Sequence, residues 1–273
     1  MHDKAGDLQA ELGRAVHNDG LRLRYQPMVA LDSGRIVGVE ALVRWRHPER
    51  GLLPPAEFIP LAERSGQIVP IGHWVLREAC RTAARWPDPA PGGSPYVSVN
   101  LSPVQILRPE LARNVSAILS EADLDPSRLV LEITETVLLD DSPRHLETLN
   151  LVKELGVRLA VDDFGMGYAS PNYLRRLPID ILKIAKPFVD ALDGSREGSA
   201  LMGDLLEHAG NVGLEVIAEG IERPDQRRIL RERGCELGQG YLFSDPVDEE
   251  EIERMLVKGT QDPEQPEPRE GSP

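Results

Sequence analysis

The sequence is poor in cysteine, in aromatic residues and in net positive charge, and each shortage narrows what the protein can be. Its two cysteines, Cys80 and Cys235, are too few for a disulfide framework, so we expect both to be small buried side chains. Only 4% of the residues are aromatic while 41% are hydrophobic, which means that aliphatic side chains must fill the core. The formal charge of −14 argues against binding to a nucleic-acid backbone, because such binding depends on clustered Lys and Arg.

Long apolar segments and targeting signals are also lacking. No apolar run approaches the length of a membrane span, and the N-terminal segment does not resemble a signal peptide. We therefore expect a protein that does not insert into membranes and that lies in the cytoplasm. Walker loops, dinucleotide-binding glycine motifs and Gly-x-Ser-x-Gly elbows are absent as well. Several histidines in loops and helices lack partners at metal-ligand spacing, namely His47, His73, His145 and His208.

Beyond a short amphipathic helix at residues 7–18, the chain alternates between apolar strands and amphipathic helices. The first two strands, LRLRYQPMVAL and IVGVEALVRW, flank Asp32, Ser33 and Gly34, which suit a hairpin turn. The later strands are YVSVNLS, RLVLEITE, VRLAVDDF, DILKIA, LEVIAEG and CELGQGYLF. Strand and helix alternation implies a parallel sheet, and about eight strands favour its closure into a barrel. We therefore predict an α/β fold, a modified TIM-type (β/α)8 barrel, in which the hairpin makes the first strand antiparallel.

The domain organisation follows from the same pattern. Residues 1–257 are expected to form one barrel domain, and no second domain is predicted. The segment 258–273 is rich in proline and charge, so we expect a disordered acidic tail.

Polar side chains recur at the C-terminal ends of the predicted strands, where the strands of an α/β barrel converge on one face. The residues in these positions are Glu40, Asn100, Glu132, Asp162, Asp163, Lys183 and Glu219. A single acid after a strand is more often a helix cap, but six successive strands with such ends indicate a shared site. Carboxylates buried together without a metal repel one another, and oxygen ligands suit Mg²⁺ or Mn²⁺ rather than zinc. Adjacent aspartates can hold two cations, and a site with two metal ions suits in-line attack on a phosphodiester.

Ordered motifs over nearly the whole chain, from about residue 8 to about residue 256, resemble those of the EAL domain family. The motifs are YQP, VEALVRW, VNLS, LEITET, VDDFGMGY, LKI, AEGIE and GQGYLFSDP. Three letters such as EAL carry no information alone, whereas the ordered set is very specific. The resemblance implies a modified barrel with an antiparallel first strand. It also implies the hydrolysis of cyclic di-GMP to linear pGpG in bacterial second-messenger signalling.

The resemblance further implies a role for each matching residue. Two ions, Mg²⁺ or Mn²⁺, would be held by Glu40, Asn100, Glu132, Asp162 and Asp163, with Asp162 bridging between them. Glu219 would act through metal-bound water or as the general base, and Lys183 would steady the attacking water or the phosphate.

Other matching residues are implied to bind the nucleotide or to support the site. Gln26, Arg44 and Gln239 resemble the ligand-contacting positions, and an arginine can form a fork onto a phosphate. For Gln26 and Arg44 the alternative is an ordinary hydrogen bond at the barrel mouth. Glu135 would brace the loop that follows the two aspartates, and Glu222 would support the base.

Two departures from the family pattern bear on turnover. Ala185 stands where active members usually carry an aspartate, two residues after the lysine. The loop after the aspartates contains Met166, Ala169 and Pro171, which are unusual at these positions. In the family this loop couples the metal site to the dimer contact. Its degeneration is often found in members that bind the nucleotide but turn it over poorly.

Three functions therefore stay open. Retention of every metal ligand favours a phosphodiesterase, whereas Ala185 and the altered loop favour a weak or inactive domain that acts as a cyclic di-GMP receptor. The third function is hydrolysis of another phosphodiester by an unrelated barrel. The resemblance also implies a homodimer, through helical segments around residues 171–176 and 187–192. A sensory or GGDEF domain can accompany such a unit in a longer protein.

Overall fold

A computed structural model of the chain describes residues 4–87, 93–135, 143–165, 177–192 and 196–259. The N-terminal elements are helix α1 (Lys4–His17) and strands β1 (Leu21–Ala30), β2 (Ile36–His47) and β3 (Gly51–Leu53). The later strands are β4 (Tyr96–Asn100), β5 (Leu129–Thr134), β6 (Arg158–Phe164), β7 (Ile181–Ile184), β8 (Glu215–Ala218) and β9 (Leu237–Gln239).

Helices precede, separate and follow these later strands. They are α2 (Pro55–Ser65), α3 (Ile68–Ala83), α4 (Pro103–Ile106), α5 (Leu111–Ala122), α6 (Pro143–Glu154), α7 (Lys186–Asp190), α8 (Arg196–Val212), α9 (Pro224–Glu232) and α10 (Glu249–Lys258). A 3₁₀ turn at Pro126–Arg128 leads directly into β5.

The sheet closes into a barrel through its first strand. β1 pairs antiparallel with β2 on one side and antiparallel with β9 on the other. The remaining barrel strands, β2 and β4 to β9, follow one another in parallel around the ring. The short strand β3 lies outside the ring, paired with the far end of β2. The predicted eight-stranded barrel with an antiparallel first strand is therefore confirmed, whereas β3 was not predicted.

Apolar side chains fill the lower interior of the barrel. This floor is formed by Met28, Tyr96, Val130, Ala160, Ile181, Ile217 and Leu237. Successive side chains of a strand point to opposite faces, so residues two apart share a face. Val130 therefore faces the same interior as Glu132, and Ala160 the same interior as Asp162. This period places the polar strand ends directly above the floor, at the carboxyl ends of the parallel strands.

A second, larger core lies between the outside of the barrel and its helices, and it is mainly aliphatic, as the composition predicted. Cys80 and Cys235 are both buried there, which confirms their expected role as small apolar side chains. Burial raises the pKa of each thiol to about 12, so neither is a ready nucleophile. None of the helices in the described part of the chain is long and apolar enough to cross a membrane.

Several boundaries differ from those predicted by the sequence. The strand expected at YVSVNLS ends at Asn100, because Ser102 instead caps helix α4: its hydroxyl accepts from Val104 N at 3.3 Å. Gln105 Oε1 in turn accepts from Ser102 N at 3.2 Å, and together these bonds form a capping box. Helices α2, α4 and α10 were not predicted. The acidic tail was expected to be disordered over residues 258–273, and its residues beyond 259 lie outside the described ranges.

Candidate functional site

The polar strand ends meet at one mouth of the barrel, around the ammonium group of Lys183. This side chain is 1% exposed, and its Nζ lies 2.7 Å from Glu219 Oε1 and 2.9 Å from Glu132 Oε2. Asp162 Oδ1 is 3.2 Å away and Glu40 Oε2 is 3.5 Å away. One ammonium therefore faces four carboxylates drawn from four different strand ends.

The burial of this cluster changes the proton affinity of its members. Burial acts against the charged form of Lys183, but the surrounding carboxylates outweigh it and hold the pKa of the lysine well above its usual value. Burial, reinforced by the charge of Glu40, raises the pKa of Glu132 well above that of an ordinary glutamate. Burial also raises the pKa of Glu219 to about 8, although the charge of Lys183 opposes this.

Glu40 differs from its neighbours because side-chain amides hold its charged form. Asn100 Nδ2 donates to Glu40 Oε1 at 2.8 Å, and Gln239 Nε2 donates to Glu40 Oε2 at 2.7 Å. Burial acts to raise the pKa of this carboxylate, but Lys183 and the two amides outweigh it and lower the pKa below its usual value. These contacts therefore favour the ionised form of Glu40.

The side-chain amide of Gln239 connects the acid cluster to strand β1. Gln239 Nε2 also donates to Gln26 Oε1 at 3.0 Å, and Gln26 Nε2 donates to Ser244 O at 3.1 Å. Both glutamines are buried. Gln239 Oε1 is buried too and has no hydrogen-bond partner among the residues that the structure describes. A buried acceptor of this kind needs a donor or a cation, so this point of the mouth fits an incoming ligand.

The loop after the two aspartates is held from β5. Asp163 adopts the left-handed backbone conformation, with φ of 54°, and its side chain is exposed beside the cluster. Partial burial of its carboxyl and the charge of Asp162 raise the pKa of Asp163. Glu135 Oε2 accepts a hydrogen bond from Gly165 N at 3.0 Å. The rest of this loop, including Met166, lies outside the described ranges.

Two of the predicted residues lie apart from the acid cluster. Arg44 is half-buried further along β2, where its Nη1 donates to Val43 O at 2.9 Å. Glu222 lies beyond the end of β8, and its Oε1 is 2.9 Å from the ammonium of Lys186. Neither contact joins these residues directly to Glu219. Their predicted roles, like those of the residues in the cluster, stay predictions.

Gln226 supports the loop after β8 and was not singled out by the sequence. This fully buried residue accepts hydrogen bonds at Oε1 from Glu222 N and Arg223 N, both at 2.9 Å, and donates from Nε2 to Val189 O at 3.2 Å. It therefore ties the segment that follows Glu219 to helix α7. The available signal was a glutamine at the third position of a helix that begins with proline, which is typical of a capping box.

The donor set fits divalent cations that prefer oxygen. Within the described residues, no three His, Cys, Asp or Glu side chains are already spaced as a metal cluster, because Lys183 Nζ lies between the carboxylates. Four carboxylates against one ammonium nevertheless leave a formal surplus of three negative charges. Asp163, next in the chain to Asp162, adds a fourth. Hard oxygen donors with a surplus negative charge are the ligands that Mg²⁺ and Mn²⁺ prefer.

An apolar groove of about 460 Å³ adjoins the acid cluster. Glu40 and Asn100 form its inner end, and Leu42, Pro55 and Ile59 contribute to its walls. Most of its lining is apolar, and it is large enough to accept a planar ring system. The mouth therefore combines a charged centre with an apolar compartment at its side.

An alignment model of the EAL domain matches residues 9–246. The cyclic di-GMP phosphodiesterase NbdA of Pseudomonas aeruginosa is 42% identical over 249 residues, which are 91% of this chain and 32% of that protein. The bifunctional diguanylate cyclase/cyclic di-GMP phosphodiesterase MucR of the same organism is 39% identical over 244 residues, 89% of this chain and 35% of that protein. A solved structure of the MucR phosphodiesterase in complex with c-di-GMP superposes with a TM-score of 0.84 and 38% identity. It covers 90% of this chain and 99% of that chain. The chain spans between 28% and 40% of the length of the curated relatives that it matches.

Proposed function

Because this chain belongs to the EAL domain family, we propose that it is a metal-dependent phosphodiesterase that hydrolyses cyclic di-GMP to linear pGpG. The observation that carries the proposal is the ring of four carboxylates around Lys183 at the barrel mouth. Relatives named as cyclic di-GMP phosphodiesterases support the choice of substrate.

Five residues of the mouth would hold two ions, Mg²⁺ or Mn²⁺. They are Glu40, Asn100, Glu132, Asp162 and Asp163. When bound, such ions lower the pKa of a water molecule and neutralise the charge that builds on the phosphate oxygens. The surplus negative charge of the cluster supports this ligand set, as does the low pKa of Glu40.

Glu219 is the residue best suited to move a proton. A base works most efficiently when its pKa is near the ambient pH, and burial raises the pKa of this carboxyl to about 8. Its Oε would accept the proton of the attacking water. Lys183, whose Nζ lies 2.9 Å from Glu132 Oε2 and 2.7 Å from Glu219 Oε1, would steady the attacking water or the phosphate.

The nucleotide would be held by residues around the rim. Gln26 and Gln239 offer amide groups at the mouth, Arg44 offers a guanidinium further out, and the adjoining groove would accept a guanine base. Glu135 would keep the loop after the aspartates in place through Gly165 N, and Glu222 would support the loop that carries the base.

A receptor that binds cyclic di-GMP without cleaving it is the second candidate. The observation in its favour is Ala185, which is completely buried directly after β7, where active members usually carry an aspartate. Without that carboxylate a second ion would bind more weakly, while the residues of the rim would still hold the ligand.

Further parts of the proposal concern the whole protein. We propose a homodimer with a single barrel domain at residues 1–257, located in the cytoplasm and accompanied by a sensory or GGDEF domain in a longer protein. Of the two helical segments expected at the dimer contact, residues 171–176 lie outside the described ranges. Residues 187–192 fall on α7 and the two residues after it.

The decisive experiment incubates the purified protein with cyclic di-GMP and Mg²⁺ or Mn²⁺ and resolves the products by chromatography. We expect linear pGpG, its loss in excess chelator, and its loss in Glu40→Gln and Asp162→Ala. Glu215→Gln is the matched control, because this acid lies at the opposite end of β8 and pairs with Arg158. Cleavage that survives in the Glu40 variant or in chelator contradicts the proposal. Tight binding in Ca²⁺ without cleavage in either metal establishes the receptor instead.

A further inference from the structure

The hairpin of β1 and β2 extends past the acid cluster and carries arginines on its inner face. Gln26 lies opposite Glu40, the next inward pair is Arg24 and Leu42, and the pair after that is Arg22 and Arg44. Residues two apart share a face, so Arg24 faces the same side as Gln26, about 7 Å further from the acid cluster. Arg24 is therefore nearer to the cluster than Arg44.

The two β1 arginines differ in how firmly they are paired. Arg22 forms a fork onto Asp19, with both nitrogen–oxygen distances at 2.8 Å. Within the described residues, the ion pair of Arg24 is with Asp248, where Nη1 and Oδ2 are 3.4 Å apart and the acid is 61% exposed. A single long contact to an exposed carboxylate contributes little free energy. The guanidinium of Arg24 thus keeps most of its donors for another acceptor.

Arg24 and Arg44 are diagonal neighbours of like charge. Burial lowers the pKa of Arg44, and the charge of Arg24 adds to this, while Glu40 opposes it. Long side chains at diagonal positions on one face of a strand pair are within reach of each other, so these two like charges repel. The hairpin accordingly presents two guanidinium groups where a negatively charged ligand would remove their repulsion.

We propose that Arg24 binds the second phosphate of the cyclic dinucleotide, the one that is not cleaved. This inference rests on the proposed function, in which the acid cluster acts on the first phosphate. A guanidinium matches two phosphate oxygens with two parallel N–H donors, and the GpG probe described next keeps both guanine bases while it lacks this phosphate. Arg24 then makes the site selective for a ligand with two phosphates.

The test compares two probes that differ in phosphate number. Dissociation constants are measured in Ca²⁺ for cyclic di-GMP and for GpG, the linear dinucleotide with one phosphodiester. Arg24→Leu should raise the dissociation constant of cyclic di-GMP by about 10-fold or more and change that of GpG by less than about twofold. Arg24→Lys should give an intermediate loss, because it keeps the charge but not the fork. In turnover assays, KM should rise while kcat stays within about threefold, since Arg24 does not contact the reacting phosphate.

Two control variants separate this contact from general electrostatics and from folding. Arg22→Leu removes the same charge from the same strand face, yet should leave both affinities within about twofold, because Asp19 already holds Arg22. Asp248 caps helix α10, because its Oδ1 accepts a hydrogen bond from Glu251 N, and an asparagine can keep this bond. Asp248→Asn therefore removes only the carboxylate charge that competes for Arg24. It should bind cyclic di-GMP as tightly as the original protein or more tightly. Melting temperatures confirm that each variant is folded.

The outcomes distinguish the two claims. If the original protein binds cyclic di-GMP and Arg24→Leu binds it equally well, the inference about Arg24 is wrong and the proposed function stands. The inference is also wrong if Arg24→Leu loses the same affinity for both probes, or if Arg22→Leu loses as much affinity as Arg24→Leu. Either result would indicate long-range electrostatic attraction instead. If the original protein binds no cyclic di-GMP, the proposed function fails and the inference fails with it.

Discussion

The ammonium of Lys183 offsets one of the four carboxylate charges that surround it, so this residue supports the apo protein as well as the proposed chemistry. Lys183→Met should lower the free energy of unfolding by about 3 kcal/mol in chelator, because it leaves buried carboxylates without their counter-charge. Mn²⁺ should restore more of the stability in this variant than in the original protein, since a cation can take over the same charge. Chemical denaturation with and without Mn²⁺ measures both effects.

Lys186→Met is the control for the loss of a lysine. Lys186 is half-exposed and its partners Asp190 and Glu222 are exposed, so this change should cost less than about 1 kcal/mol. A Lys183 variant as stable as the original protein in chelator would show that protons already neutralise the carboxylates.

In the proposed mechanism, Ala185 weakens the binding of a second ion. Its side chain is completely buried, so Ala185→Asp introduces a carboxylate into a position closed to water. In chelator the variant should melt at a lower temperature, because an unpaired buried charge is unfavourable. In the presence of Mg²⁺ the stability should return, and turnover at limiting Mg²⁺ should rise by about 10-fold or more. Melting curves and initial rates over a Mg²⁺ series measure these changes.

The neutral variant Ala185→Asn has the same shape and serves as the matched control. It should lose stability in chelator without gaining turnover at low Mg²⁺. Equal gains from Asn and Asp would contradict a role for the charge.

At the site, the sequence predicted which residues gather but not how they divide the charge. The acids could be assigned to one mouth because parallel strands share an end and alternate residues share a face. That Lys183 lies among four carboxylates depends on the distances across the barrel, which no local pattern encodes. The amide contacts from Asn100 and Gln239 to Glu40 were hidden for the same reason, since these residues are far apart in the chain.

Among the secondary-structure elements, the segment between β8 and α9 depends on one buried side chain. Gln226→Leu removes four hydrogen bonds, including a contact of 3.5 Å from Nε2 to Asp190 Oδ1. It leaves the backbone N–H groups of Glu222 and Arg223 without their acceptor. We expect a loss of about 2 kcal/mol in the free energy of unfolding. We also expect a fall in kcat that exceeds the change in KM, because Glu219 loses its support.

Arg228→Leu changes the same helix on its exposed face, where Arg228 pairs with Glu232, and should leave both quantities almost unchanged. Denaturation and steady-state kinetics on the two variants give the comparison. Normal turnover in a folded Gln226 variant would show that the segment keeps its position without this residue.

Helix α2 is an element that the sequence pattern did not predict. Prolines usually end helices, and this segment contains Pro55 and Pro60, so its letters did not predict a helix. Pro55 is at the helix start, where its missing N–H costs nothing, and burial of Phe58 and Ala62 against the core stabilises the rest. Most barrel strands were easier to predict, because their apolar runs end close to the polar mouth.

For the whole molecule, the described fold ends with α10 and its cap. Its buried side chains are Ile252, Met255 and Leu256. Gly259 ends the helix in the left-handed conformation, with φ of 82°, and its carbonyl accepts a hydrogen bond from Ile36 N. A chain truncated after Gly259 should keep its melting temperature within about 1 °C, whereas truncation after residue 251 should lower it by at least about 5 °C. Calorimetry on both truncations measures this. A large shift in the longer form would show that residues 260–273 stabilise the barrel.

The pairing of β1 with β9 also determines when the site can exist during synthesis. Met28 lies opposite Gln239, so the ring closes through a contact between positions near the two ends of the described chain. Contacts between such distant positions form late in folding, because the intervening chain must first be made and ordered. The hydrogen bond from Gln239 to Gln26 belongs to this last contact. A nascent chain therefore cannot complete the mouth before β9 has been synthesised. Ligand binding can begin only once the barrel has closed.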